Sequence, residues 1–151
     1  MLKVIVVLVG ALGIAGLASA AGQADNFRLR ASLSPGAEVP KPKGVPAGAR
    51  GLFTGRSVEL ENDKARLNWK LTFSNLSGRA VAAHIHLGRK GKAGAVLLAL
   101  CGPCRSGQGG RKTISHVQHN RIEAGLTYVN VHTPRNPAGE IRGQIRVTEL
   151  D

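Results

Sequence analysis

Three histidines form the pattern in this sequence with the clearest chemical meaning. His84 and His86 lie two residues apart in an alternating segment, so a β-strand would place both imidazoles on one face, with their Cα atoms roughly 6.5–7 Å apart. His132 has the same position relative to apolar neighbours in a second such segment. If the two strands are adjacent, three imidazoles converge. Three histidines can bind copper or zinc and leave one coordination position open.

Other residues could extend this site, and a purely structural interpretation competes with it. Glu140 or Tyr128 could supply a fourth ligand. His116 and His119 lie in a less regular stretch and are predicted to be surface residues, with a second, weaker site as the alternative. In the structural interpretation, the histidines of the first cluster occupy the solvent face or form hydrogen bonds within the sheet. A His-x-His pair alone does not decide between the two.

The two cysteines, Cys101 and Cys104, also allow two interpretations. In an exported protein they would form a disulfide. The four residues from Cys101 to Cys104 also match the thioredoxin redox motif, whose reactivity needs a helix N-terminus that lowers the thiol pKa. Loop sequence follows the motif here, without a βαβ pattern. The sequence therefore favours a structural disulfide, and a thiol oxidoreductase is the weaker alternative.

Other catalytic patterns are weak. The acidic residues lie mostly in turns or near the C-terminus, and no serine lies in a nucleophile elbow. The segment from Gly88 to Gly94 is a basic loop, more typical of a strand connection than of a phosphate site. The sequence favours a binding protein over an enzyme.

The elements that must position these residues are predicted to be strands, because apolar and polar residues alternate. Turn signals separate the segments, loops are expected at 35–48 and 105–112, and one short helix is expected around 119–124. Seven or eight strands predict an all-β fold, a single antiparallel β-sandwich of immunoglobulin-like or Greek-key type. The alternating segments cover residues 27–33, 67–73, 81–87, 128–132 and 140–147, with further strands at 49–61, 95–100 and 112–117.

The first twenty residues resemble a signal peptide. Lys3 precedes an apolar run that ends near Leu17, and Ala18-Ser19-Ala20 fits a signal peptidase site. The run is shorter than the roughly 20 apolar residues that span a membrane. Cleavage after Ala20 is expected to leave one secreted or periplasmic domain, residues 21–151, with no membrane span.

The charge balance indicates what such a domain would attract. The chain has a net charge of +12, which favours an anionic surface, a polysaccharide or an acidic protein as partner. Aromatic residues make up only 3% of the chain, and none lies in a basic run. Specific nucleic-acid binding is therefore not expected, because single strands are held by stacking on aromatic side chains.

Two long segments resemble the CHRD (chordin) domain, in the form found as stand-alone exported bacterial proteins. Residues 83–94 are similar to its motif AHIH-x-G-x-x-G-x-x-G, and residues 128–145 to its motif YVNVHT followed by P-x-GEIRGQI. Glu38-Val39-Pro40 resembles its EVP segment. The resemblance implies an extracellular immunoglobulin-like β-architecture, places His84, His86 and His132 in one cluster, and implies no settled activity. Two hypotheses follow: a metal-binding exported module, or an adhesion module that binds protein or polyanion and has structural histidines.

Overall fold

The structure, a computed structural model, describes residues 26–150. The expected signal peptide, residues 1–20, lies outside the described residues. Within them, no helix is long and apolar enough to cross a membrane. The elements are β1 (Asn26–Leu33), a 3₁₀ turn (Pro35–Ala37), β2 (Arg50–Leu60), β3 (Lys64–Ser74), β4 (Ala82–Leu87), β5 (Val96–Cys101), β6 (Gln108–Ser115), α1 (His116–Glu123), β7 (Thr127–His132), β8 (Ile141–Gln144) and β9 (Arg146–Glu149).

Two antiparallel sheets pack face to face, which confirms the predicted all-β sandwich. One sheet has the strand order β6-β3-β2-β1-β9 and the other has the order β5-β4-β7-β8. Along the inner strands, alternate residues are buried between the sheets, most regularly in β1 and β3, as the period of two predicts. Examples are Leu29, Phe53 and Leu71 from the first sheet and Ile85 and Val129 from the second, all with no exposed surface.

The described residues form nine strands, so the predicted number of seven or eight is too low. The segment predicted as one strand, residues 140–147, divides at Ile145. The part before it, β8, pairs with β7 in the four-stranded sheet, and the part after it, β9, pairs with β1 in the five-stranded sheet. A strand can change sheets at a corner without losing its alternation. The sequence pattern therefore did not reveal the break.

The region after Cys104 differs from the prediction in two ways. Strand β6 begins at Gln108, so part of the expected loop 105–112 is strand. The helix begins at His116, earlier than expected, because Ser115 and Gln118 form a reciprocal capping box. The helix turns His119 towards the sheet, where it is only 1% exposed and its Nδ1 lies 2.8 Å from Ser57 Oγ. The prediction that His119 is a surface residue is wrong.

Strand β7 is buried on both faces. Its Val129 and Val131 face the core. The intervening residues face the outer side of the four-stranded sheet, where the segments 88–95 and 133–140 make hydrogen bonds to them. A polar layer is therefore enclosed between this sheet and its loops.

Candidate metal centre

The register of β4 and β7 brings the three histidines together. His84 is opposite Asn130, His86 is opposite Tyr128, and His132 is opposite Ala82. His132 is thus the diagonal neighbour of His84, and side chains at diagonal positions reach each other across a sheet. The ligand nitrogens of the three imidazoles all lie within 4.8 Å of one another. The structure thereby joins the residues that the sequence placed on two separate strands.

Two of the imidazoles are oriented by backbone carbonyls. The Nδ1 atom of His86 lies 2.9 Å from the carbonyl oxygen of Gly94, and that of His132 lies 2.9 Å from the carbonyl oxygen of Pro137. A carbonyl oxygen only accepts, so both Nδ1 atoms carry the proton, and each neutral ring keeps its lone pair on Nε2. Histidines that bind metals are usually held in this way. The Nε2 atom of His86 is buried and has no hydrogen-bond partner.

The third imidazole, His84, is half-buried and lies against the other two. Its Nδ1 is 3.1 Å from Nε2 of His132. Two imidazole nitrogens bound tetrahedrally to one zinc ion at about 2.0–2.1 Å lie about 3.3–3.4 Å apart, so this pair already has nearly the spacing of two ligands. Burial, then the neighbouring His132 and His86, lower the pKa of His84, and burial likewise lowers the pKa of His132. Both shifts favour the neutral, ligating form.

The cluster fits one metal ion after a small contraction. Two nitrogens on the same zinc ion are at most about 4.2 Å apart, twice the bond length. A pair at the upper end of the 4.8 Å range must therefore approach by about half an ångström. Half-buried His84 has the freedom to do so, whereas His86 and His132 are each 8% exposed and held by carbonyls.

Tyr128 and Glu140, the two additional ligands suggested by the sequence, have other partners in the structure. The Tyr128 ring stacks on His86 at a centroid distance of 5.0 Å, and its hydroxyl accepts a hydrogen bond from the Gly94 backbone N–H. The guanidinium of Arg142 lies 3.3 Å from the centroid of the same ring. Tyr128 thus holds the plane of His86, and Glu140 does not belong to the group of close ligand atoms.

Glu140 joins the loops around the centre. Its carboxylate accepts hydrogen bonds from the backbone N–H and the hydroxyl of Ser77, from Thr133 Oγ1 at 2.5 Å and from Asn136 Nδ2 at 3.1 Å. Asn136 in turn bonds both backbone polar groups of Lys43. Burial alone would raise the pKa of Glu140, but these hydrogen bonds outweigh it and hold the pKa below its usual range.

Sequence reasoning missed a second buried carboxyl group in this layer. Glu38 is 1% exposed, and burial raises its pKa to about 7, although the Val39 backbone and then the charge of Arg142 oppose the shift. A Cβ atom added at Gly139 would lie only 2.5 Å from Glu38 Oε1, so the carboxyl group packs directly against this glycine. Two features of the sequence could have indicated this buried carboxyl group. Glu38 is the acidic residue of the EVP segment, and Gly139 belongs to the second CHRD motif.

The two cysteines lie away from this layer, at the end of β5. Their sulfur atoms are 2.14 Å apart, and no free cysteine remains among the described residues. The chain continues through a turn into β6 and not into a helix. The helix N-terminus that lowers thiol pKa in thioredoxin-type enzymes is therefore missing next to this motif.

The profile of the CHRD domain matches residues 29–145. The chain belongs to the CHRD-domain family. This confirms the resemblance seen in the two histidine motifs. Comparisons with curated proteins and with solved structures gave no match. CHRD domains are often extracellular.

The structure gives a physical reason for one glycine of the first CHRD motif. A Cβ atom on Gly94 would lie 1.7 Å from the carbonyl oxygen of Leu87, so no larger residue fits. The carbonyl of Gly94 also accepts the hydrogen bond from His86 Nδ1, and its N–H donates one to the Tyr128 hydroxyl. The close approach of this glycine to β4 therefore sets the orientation of one candidate ligand.

Proposed function

We propose that this CHRD domain is an exported binding module that holds one copper or zinc ion through His84, His86 and His132. The observation that carries the proposal is the pair of Nδ1 to carbonyl hydrogen bonds, which leaves Nε2 of both His86 and His132 without a proton beside His84. Signal peptide cleavage after Ala20 would deliver the domain to the periplasm or the exterior, in keeping with the location of many CHRD domains.

The donor set supports copper or zinc over harder ions. Imidazole nitrogen suits these metals, whereas magnesium and calcium prefer oxygen ligands. Neither carboxylate of the layer, Glu140 or Glu38, belongs to the group of close ligand atoms, and Glu140 is engaged with Thr133 and Asn136. Three histidine ligands leave a coordination position for a water molecule or a donor from a partner. That arrangement suits storage, transfer or sensing of the ion, and we propose binding and not catalysis as the role.

Metal content and affinity test this proposal directly. We expect the mature protein, purified without a histidine tag, to contain close to one metal ion per chain by elemental analysis. Calorimetric titration should give sub-micromolar affinity for Cu(II) or Zn(II). His132→Ala should weaken that affinity more than tenfold, because it removes a ligand whose orientation is fixed.

His116→Ala is the matched control, since His116 lies on α1 and its side chain is 43% exposed. This variant should bind the ion as the wild type does. Equal affinity in the wild type and the His132→Ala variant, or the absence of binding heat in the wild type, would refute the three-histidine site.

The carbonyl contact of His86 gives a second prediction. Gly94→Ala should weaken metal binding about tenfold, the lower end of the effect of removing a partner behind a ligand. The added methyl group forces Gly94 away from Leu87, so its carbonyl moves away from His86. Calorimetry on the folded variant provides the measurement.

Gly91→Ala controls for strain in the same loop. Gly91 has φ +79° and nothing within 4 Å of a Cβ position, so alanine there strains the backbone without a clash. If both variants lose affinity equally, loop strain and not the His86 contact is responsible.

A further inference from the structure

The outer face of the five-stranded sheet carries an unbalanced row of cations. Because Leu29 is buried, Arg28 and Arg30 on either side of it face outward. The register places Arg56 opposite Arg28 on one side and Arg146 opposite Arg30 on the other. Like charges directly opposite each other in a sheet are destabilising. These positions therefore cost the isolated fold stability, which an anionic ligand would offset.

The row continues over the rest of the sheet. On β3, Lys70 is opposite Thr54 of β2. On β6, Arg111 is opposite Asn68 of β3, to which it donates a hydrogen bond of 3.1 Å. With strands about 4.8 Å apart, five adjacent strands span about 19 Å. None of these cations pairs with a carboxylate of residues 26–150. We call this surface the basic face: Arg28, Arg30, Arg56, Lys70, Arg111 and Arg146.

The basic face is concave in two places that share Arg30. A shallow depression of about 360 Å³ lies over β1, β2 and β3. A cleft of about 300 Å³ follows where the two sheets meet, and it is lined by Arg146, Lys90 and Arg142 in addition to Arg30. The two depressions form one track, and a flexible chain with several negative charges could follow it. A compact anion would occupy only one of them.

The side chains of the basic face favour one class of polyanion. Most are arginines, whose planar guanidinium groups bind carboxylate or sulfate through two hydrogen bonds. Trp69, the aromatic residue that lines the shallow depression, is 6% exposed and gives bases no stacking surface. The large exposed apolar residues of the described chain, Val96 and Val117, lie on β5 and α1. The basic face therefore offers no aromatic ring for bases to stack on and no apolar side chain to insert into a lipid surface.

We propose that the basic face binds a linear acidic polysaccharide, through its carboxylate or sulfate groups, along the track that passes Arg30. The arginines of β1, β2 and β9 lie on the opposite sheet from the histidines, and the track approaches the metal centre only at Arg142, which packs on Tyr128. The domain would thus attach to an anionic polymer through one sheet and hold the histidine cluster on the other.

Charge-matched variants test the proposal, with polygalacturonate oligomers and dextran sulfate as probes. We expect the face variant to bind both probes at least tenfold more weakly than the wild type by fluorescence anisotropy, with a shallower dependence on salt. The control variant should stay within threefold of the wild type, although it loses the same charge. The face variant is Arg28→Gln/Arg30→Gln/Arg56→Gln/Arg146→Gln, and the control is Lys41→Gln/Arg79→Gln/Arg105→Gln/Arg121→Gln, all at exposed positions.

Three outcomes would overturn the proposal. Equal losses in both variants would mean that overall charge, and not this face, binds the polymer. Tighter binding of single-stranded DNA or of anionic vesicles than of either polysaccharide would assign the face to another class of ligand. No binding by the wild type at low salt would remove the site. If the face variant does not fold, Arg28→Gln/Arg56→Gln against Arg79→Gln/Arg105→Gln makes the same comparison.

Discussion

Glu140→Ala is expected to lower the free energy of unfolding by about 4 kcal/mol, because it leaves several buried donors without an acceptor. The donors belong to Ser77, Thr133 and Asn136, on the loops before β4 and after β7. Small domains have total stabilities of about 5–15 kcal/mol, so the loss is a large fraction. Urea unfolding followed by circular dichroism measures it.

Glu140→Gln should lose more than half as much free energy of unfolding as Glu140→Ala, although glutamine has nearly the same shape as glutamate. One carboxylate oxygen accepts from the Ser77 N–H and the other from Asn136 Nδ2, so an amide nitrogen at either position faces a donor. Glu123→Ala, at an exposed position on α1, supplies the control and should change stability by less than about 0.5 kcal/mol. Full stability in the glutamine variant would show that the carboxylate is not needed as a double acceptor.

The same carboxylate makes the fold sensitive to acid. The pKa of Glu140 is lower in the folded protein than in the unfolded chain, so its stabilisation is complete above the unfolded value of 4.5. This stabilisation is lost as the pH falls below that value and through the folded pKa. Because Pro137, the acceptor for His132, lies in the loop that Glu140 holds, metal binding should also weaken when Glu140 is replaced.

Glu38→Gln is expected to produce the opposite pH dependence. The pKa of Glu38 is about 7 in the fold and 4.5 in the unfolded chain, so the folded state binds more protons between these values. The stability that Glu38 contributes therefore falls as the pH rises from 4.5 to 7. By pH 8 the cost of ionising the buried Glu38 carboxyl group reaches about 3 kcal/mol of folding stability. Glu38→Gln does not ionise and avoids this cost.

Urea unfolding of both proteins from pH 4.5 to pH 8 measures this difference. The stability of Glu38→Gln relative to wild type should rise by about 3 kcal/mol across the range. The lowered pKa values of His84 and His132 affect both proteins alike and cancel in the comparison. Glu123→Gln, with an exposed carboxyl group, gives the baseline. A constant difference between Glu38→Gln and wild type would show that Glu38 is ionised normally in the fold.

Much of the candidate site could be read from local pattern. The alternation around His84 and His86 places both on the face opposite Ile85, and a buried strand must obey that alternation. The CHRD motifs linked His132 to the same cluster. Local pattern did not reveal that His119 is buried, because its neighbours have only a weak helical period and its partner Ser57 lies 62 residues away.

The sequence by itself determined most of the strands, their inner faces and the three histidines, since each depends on the chemistry of adjacent residues. Only the tertiary structure decided which strands are neighbours and how they are aligned. The register of β4 against β7 sets the His84–His132 contact, and loop packing brings Gly94 and Pro137 to the two other rings. The tertiary structure also places the Glu140 carboxylate against Ser77 and Asn136 and not against the histidines. These pairings join residues far apart in the chain, and many alternative pairings satisfy the same local pattern.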